Sequence, residues 1–502
     1  MKDSSEIKDQ LMKNATWGMI SSIINRAGGF ILIILISRML MPEGFGKYSL
    51  AMIIAMFFIT FSDLGINQTL IRYVSLELDT NSKKAISYFK HLLKIRFFLT
   101  MSVSLILLIG ARIISGYIYR DSNLFIPLVV LSIYVFFISL SSFFESLFFI
   151  KKNVIYISIK EVFSVLFRVA FIILIWFFVV SELKLIWIFI SLAYFSILSF
   201  LFVFYFSRKR YPPLFKAKEI PIDKKDMYRF LFFINIQNIS ILVLSSIPIM
   251  LLGFFLTSEF VGYYNSSWAL ASGIISLLFS FSYVFLPVFA NAKEETFRPI
   301  INKIFKLSFM LALPISFGLS LLAKFFIIVI YGEAYLFAAT PLSILAFIIP
   351  FIVGINLALD SFSARNKQKK FAYLLFVFAL ASILLNYFFI KFLSALSGET
   401  TLLGISIVNL IIWSLCFICS VYYLKKELNI NVFSGDLIKF ILSCFVMSAF
   451  ILLALNLFGN LNLLSGVVII ILSMVVYFSF LSLIKGITKE DFALITQAFK
   501  KK

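Results

Sequence analysis

The stretch SSIINRAGGFILIILIS, residues 21–37, decides how the chain is read. With its flanks it is apolar for the ~20 helical residues that cross a hydrocarbon layer of ~30 Å. Near its middle stands Arg26, and an arginine at that depth costs at least ~2.5–3.5 kcal/mol to insert. Working outward, the same kind of run recurs until there are fourteen. They lie at roughly 15–37, 48–71, 89–112, 124–149, 155–180, 185–206, 230–256, 263–289, 304–329, 340–362, 371–393, 402–424, 437–457 and 463–484.

The composition agrees. Of 502 residues, 62% are hydrophobic and 14% charged, and the mean hydropathy is +1.04. A soluble core at this length has no room for so many apolar side chains in unbroken runs. The expectation is an all-α polytopic membrane protein with fourteen transmembrane helices. Cys416, Cys419 and Cys444 all lie inside apolar runs, so they read as small packing residues and not as a disulfide framework. The lead-in MKDSSEIKDQLMKNATWGM reads as an amphipathic approach to the first span. The apolar run after it is too long for a cleaved signal peptide and has no small-residue cleavage site.

The net charge of +21 is placed as a membrane protein places it. One alternate set of connections, which includes both termini, holds 32 of the 45 lysines and arginines; the other set holds 7. By the positive-inside rule both termini are expected in the cytoplasm. A nucleic-acid partner is excluded, because no basic surface remains to bind one.

The longest connection, SRKRYPPLFKAKEIPIDKKDMYR (207–229), divides the runs into six and eight. LMPEGFGKYSLA (40–51) follows the first run, and LTSEFVGYYNSS (256–267) follows the seventh. They share Glu43/Glu259, Gly46/Gly262 and Tyr48/Tyr264 at a constant offset of 216. Because six is even, the repeats have the same orientation and are related by an axis along the membrane normal, and substrate sites in such proteins lie between the halves. The expected organisation is an N-terminal six-span lobe (1–210), a C-terminal six-span lobe (211–430), and two extra spans with a basic cytoplasmic tail (431–502).

Charges away from span ends are confined to the first lobe; beyond residue 230, Lys306, Lys324, Asp360, Lys391 and Lys439 all lie near ends. Arg26, Arg72, Lys94, Arg96, Lys160 and Arg168 stand against Asp63, Glu145 and Glu161, a net of +3. At ~1.5 Å per residue, Arg26 and Arg168 fall near mid-membrane and the three acids, Arg96 and Lys160 in the cytoplasmic half. Helical spacing sorts the faces. Ser21, Ser22, Asn25, Arg26 and Gly29 form one stripe; Ser141, Ser142 and Glu145 form another. Asp63 shares a face with Asn67, and Glu161 with Arg168. Lys94 and Arg96 cannot both face inward, and Arg96 is the better lumen residue. A cationic lumen binds an anion, and arginine's planar fork suits phosphate. The candidate phosphate ligands are Arg26, Arg96, Arg168, Lys160 and Arg72; Asp63, Glu145 and Glu161 are assigned to ion coupling or charge tuning. Three alternatives stand beside this: Arg26 pairing with Asp63, Arg168 pairing with Glu161, and Arg72 snorkelling to the lipid headgroups.

FSDLGINQTLIRY (61–73), FLTSEFVGYYNSSWAL (255–270), VFLPVFA (284–290), LALPISFGLSLLA (311–323) and YGEAYLFAATPLSILA (331–346) together resemble the Wzx-type polysaccharide flippases of the multidrug/oligosaccharidyl-lipid/polysaccharide exporter superfamily. The resemblance covers the chain nearly end to end. It implies alternating access by two lobes of twelve spans plus two extra. It implies, as substrate, undecaprenyl-pyrophosphate-linked oligosaccharide flipped outward across the plasma membrane for O-antigen-type surface polysaccharide, with polymerase and chain-length machinery as partners. First-lobe lumen charges would engage the pyrophosphate. The chain departs from many relatives in the seventh run: VLSSIPIMLLG (243–253) has Ser245 and Ser246 where they carry an acid.

Two rivals share the superfamily: a drug/cation antiporter, which calls for unpaired carboxylates in the lumen, and a lipid II flippase. The rival from another class is a membrane polymerase or glycosyltransferase on the same lipid carrier. Such an enzyme needs a sizeable outer loop of catalytic residues, and the outer loops here are short, with single acids. His91 reads as interfacial. No Walker motif or metal-ligand cluster is present, and no cofactor is implied.

Overall fold

The computed structural model describes residues 4–78, 82–150, 155–216, 220–291, 294–365, 367–432, 435–459 and 461–487, with side chains described, within these, from residue 24 onward except at 76, 78, 82, 216 and 280–296. The side chains of Ser21 and Ser22, Lys151–Lys152 and most of the basic C-terminal tail therefore lie outside the described residues. Among the described residues the chain is helical and has no strand. Hydrocarbon offers no hydrogen-bond partner, so each segment must satisfy its own backbone, and helices do so.

Two compact units divide at Gly262/Tyr263. The first contains α1 (Ser4–Asp63), α2 (Ile66–Leu78), α3 (Ser82–Ile113), α4 (Phe125–Ile150), α5 (Ile155–Phe178), α6 (Lys184–Arg210), the short α7 (Pro212–Lys216) and α8 (Lys225–Phe255); α9 (Ser258–Asn291) begins in it and continues into the second. α4 packs between α3 and α6, α1 lies along α5, and α8 packs on α1 and α2. The second unit adds α10 (Glu294–Leu321), α11 (Ala323–Ile330), α12 (Ala339–Leu345), α13 (Ile348–Ala364), α14 (Gln368–Leu393), α15 (Gly398–Leu428), α16 (Asp436–Phe458) and α17 (Leu463–Leu483). α14 pairs with α15, and α16 with both α10 and α17. A buried polar chain ties this unit together: Asn409 Nδ2 donates to Tyr264 Oη and to Asn386 Oδ1, both at 3.2 Å.

Eleven described helical segments are long and apolar enough to span a membrane, or twelve if the bent pair Glu333–Leu345 and Ile348–Ala364 counts as one span. This is fewer than the fourteen apolar runs, for two visible reasons. One segment, Ile24–Ser75, has 52 residues; a straight helix of that length would be about 78 Å, more than twice the hydrocarbon thickness. It contains the first two runs and is broken at Met41 (φ 58°, ψ 173°), just before Pro42. The eighth run falls in α9, much of which lies beyond the described side chains.

The break at Met41 opens the first copy of the repeated motif, and within the first unit the two copies meet. A Cβ on Gly46 would sit 1.6 Å from the Ser258 carbonyl oxygen, and one on Gly262 would sit 2.0 Å from the Pro42 carbonyl oxygen. Each motif glycine thus lies against the backbone of the other motif. We expect Gly46→Ala and Gly262→Ala each to destabilise the protein by about 1–3 kcal/mol, the cost of forcing packed backbone apart. Thermal unfolding in detergent would show it, and an unchanged midpoint for both would mean the contact is not close in the membrane.

Candidate functional site: the intramembrane charge networks

The first unit gathers its charges into two networks, and α4 belongs to both. On one side, α3 presents Arg96. Its Nη1 donates to Asp63 Oδ1 at 2.9 Å. Nε and Nη2 donate to the Ser139 carbonyl at 3.2 and 2.7 Å, and Nη2 also reaches Ser142 Oγ at 3.0 Å. Asn67 Nδ2 donates to the same hydroxyl at 3.2 Å, while Asp63 Oδ1 accepts from Asn67 N at 3.2 Å and so caps the start of α2. The Arg96 side chain is 0% exposed. Its fork is spent on α1 and α4 and faces no open space.

The other side joins α4 to α5. Lys160 Nζ lies 2.7 Å from Glu145 Oε1 and 2.6 Å from Glu161 Oε1. Ser141 Oγ donates to Glu145 at 2.8 Å and contacts Ser199 Oγ of α6 at 3.0 Å. Asn25 Nδ2 of α1 donates to Glu161 Oε2 at 2.6 Å. One turn further along, a Cβ on Gly28 would fall 2.0 Å from Val165 Cγ1. Both contacts keep nearly the same offset, so α1 and α5 run parallel in close register.

That register sets Arg168 roughly one and a half turns further along than Arg26 on the neighbouring helix. Both are half-buried. The Arg168 Nε is buried and has no hydrogen-bond partner, and the guanidinium lies within electrostatic reach of Tyr48 and Tyr134. All three span carboxylates are engaged: Asp63 with Arg96, and Glu145 and Glu161 with Lys160. Asp63 and Glu161 thus pair with cations other than the Arg26 and Arg168 set beside them as alternatives. Arg72 stacks on Phe230 of α8, 4.5 Å from the ring centroid. Lys94 is exposed. His91 Nε2 meets Tyr228 Oη at 2.8 Å.

Sequence reading missed Ser139, Ser199 and Tyr134. Ser139 serves Arg96 through its main-chain carbonyl, which side-chain periodicity does not flag. Ser199 and Tyr134 lie in apolar runs, and only the packing of α4, α5 and α6 gives them a role. Asp360 on α13 is half-buried, with no ion pair among the described residues of the second unit.

Residues 11–293, more than half of the chain, match the family described as polysaccharide biosynthesis protein. The chain belongs to that family. It is 23% identical over 344 residues to an "uncharacterized membrane protein in cps region" of Klebsiella pneumoniae, covering 68% of each protein. Its fold is similar to that of the lipid II flippase MurJ in an inward closed conformation, at a TM-score of 0.70 and 16% identity, over 93% of this chain and 98% of that one. A multidrug resistance MATE transporter of the MOP superfamily in an inward-facing conformation is similar at 0.62 and 14%, over 80% and 96%. The family member is thus a multi-pass membrane protein with the superfamily's fold, as its motifs led us to expect.

The Arg96 geometry gives a test. Arg96→Ala leaves Asp63 buried without its cation and should cost about 3–5 kcal/mol. The double variant Arg96→Ala/Asp63→Ala should recover part of that loss. Membrane abundance and unfolding midpoints of the single and double variants measure it. Wild-type abundance of Arg96→Ala with export lost would make Arg96 a ligand and not a strut.

Proposed function

We propose that this protein is a flippase that carries an undecaprenyl-pyrophosphate-linked oligosaccharide from the cytoplasmic to the outer leaflet by alternating access, supplying a surface-polysaccharide polymerase and its chain-length machinery. The observation that carries the reading is the residual cation. With every span carboxylate of the first unit engaged, Arg168 keeps a buried Nε without a partner, on the helix beside Arg26. A guanidinium donates two parallel hydrogen bonds to a phosphoryl group. Arg168 and Arg26 are the pyrophosphate ligands in this reading. Lys160, held between two acids, shapes the field, and Arg96 holds the helices that present the site. Arg72 on Phe230 sits at the rim. Membership of a polysaccharide biosynthesis family favours a glycan-bearing substrate over a drug, and the engagement of Asp63, Glu145 and Glu161 with cations disfavours a cationic one. The chain moves its substrate and leaves glycosidic chemistry to partners. The lobes are the six-span repeats 1–210 and 211–430, followed by the two extra spans of 431–502.

Arg168→Gln and Arg168→Lys should both lower export of surface polysaccharide by about tenfold or more, the size of a lost charge-assisted hydrogen bond, with abundance unchanged. The lysine variant fails too because an ammonium keeps the charge without the fork. Normal export from both would remove Arg168 from the site. Orientation has its own test, in a background without the three native cysteines. Cysteines at Ser397 and Gly459 should react with an impermeant thiol reagent in intact cells, and one placed within 212–222 only after permeabilisation. The reverse pattern would invert the protein.

A further inference from the structure

An apolar cavity of about 560 Å³ lies within the first unit, walled by α1, α3, the turn after α3 and Met250 of α8. It falls in the ~300–1,000 Å³ range of ligand sites. Two backbone irregularities frame it. At one end Leu64, which lines the cavity, has φ 45°. A bulky residue rarely takes that left-handed conformation, and strain of this kind persists where the surrounding structure demands it. At the other end Ile114–Ile118 form a π-helical turn, closed by Tyr119 N donating to Ile114 O at 3.0 Å, which aims Ile114 and Ile118 into the cavity. Single π turns cluster at functional sites. Ordinary lipid-facing surface needs neither feature.

The cavity also shares its wall with the charge networks. Leu64 directly follows Asp63, and Leu99, another lining residue, is one turn from Arg96. The strained Leu64 therefore sends one side chain into hydrocarbon space while its neighbour holds the guanidinium. Exposed rim residues Phe61 and Ile106 open the cavity to the side.

We infer that this groove holds a segment of the isoprenoid chain of the transported lipid, so that the tail is held on the same unit as the cations that face its phosphates. The inference rests on the proposed function, since it takes the carrier to be a polyprenyl phosphate. The lining supplies no polar group beyond Tyr119, which suits a hydrocarbon chain and no headgroup. The limited volume suits part of one chain and not a paired-chain lipid. In hydrocarbon there is no water to expel, so the preference for a chain that fills the groove over bilayer lipid that only brushes it rests on van der Waals contact.

The full-length protein in phospholipid nanodiscs, irradiated with a polyprenyl phosphate carrying a photoreactive group in its chain, tests this. The expected label maps to residues 57–64 or 99–118. It falls about tenfold with excess unlabelled polyprenyl phosphate and is unmoved by the same excess of phospholipid. Val103→Trp, which fills the groove, should reduce labelling about tenfold, a loss of about 1.4 kcal/mol. Phe98→Trp, on the exposed face of the same helix, should not. If Val103→Trp lowers abundance, competition on the wild-type protein decides alone. Competable label elsewhere would overturn the groove and leave the flippase reading standing. Label at the groove that phospholipid competes equally would make it a site for bilayer lipid and overturn the inference. No competable label anywhere would overturn both readings.

Discussion

Hydrocarbon cannot solvate a guanidinium, and the first unit is arranged round that fact. Arg96 is inserted in an apolar helix with no exposed surface, and it is tolerable because four of its N–H groups meet acceptors on two other helices. Asp63, at the end of α1, is tolerable for the same reason. Each residue would be costly alone, and together they fix where α1 ends, where α2 begins and how far α3 can slide along α4. The Ser139 main-chain carbonyl and the Ser142 hydroxyl complete the shell at little volume. The Lys160 network repeats the solution on the other side of α4, with two acids to one base.

This pairing explains how a net charge becomes a local one. The span charges sum to +3, but the sum is not spread evenly. The Arg96 pair is neutral and the Lys160 triad carries one negative charge. The remaining positive charge is carried by Arg26, Arg72, Lys94 and Arg168, and Arg168 among them has a buried Nε without a hydrogen-bond partner. Since the field in a low-dielectric bundle decays slowly, an anion entering near α1 and α5 meets arginine before it meets any unshielded carboxylate.

The class of fold was legible from residues 21–37 onward, because run length and apolarity are one-dimensional properties. The repeat was legible for the same reason: Gly46 and Gly262 keep their offset. What could not be read was pairing. Periodicity assigned Glu161 to the face of Arg168, and depth allowed Asp63 to meet Arg26, yet the structure gives Glu161 to Lys160 and Asp63 to Arg96. Partner choice depends on which helices are neighbours and in what register. The close approach at Gly28 and Val165, a contact between distant parts of the chain, sets that for α1 and α5. The count of helices in the structure differs from the count of runs for a related reason. A break at one residue, Met41, leaves two apolar runs in one nominal helix, and hydropathy does not register a backbone angle.

The same contacts bear on how the first unit could move. A network that joins α3 to α1 and α4 through charge-assisted bonds resists sliding between those helices, since separating them would leave ions in hydrocarbon. The contact at Gly46 and Gly262 is of another kind. It is backbone against backbone, held by fit and not by charge, and it lies at a kink and at a helix start where dihedrals can change. Motion within the unit is therefore cheapest at the repeated motif and dearest at Arg96. If substrate is carried by a change of conformation, the charged helices travel as a block and the motif glycines take up the change.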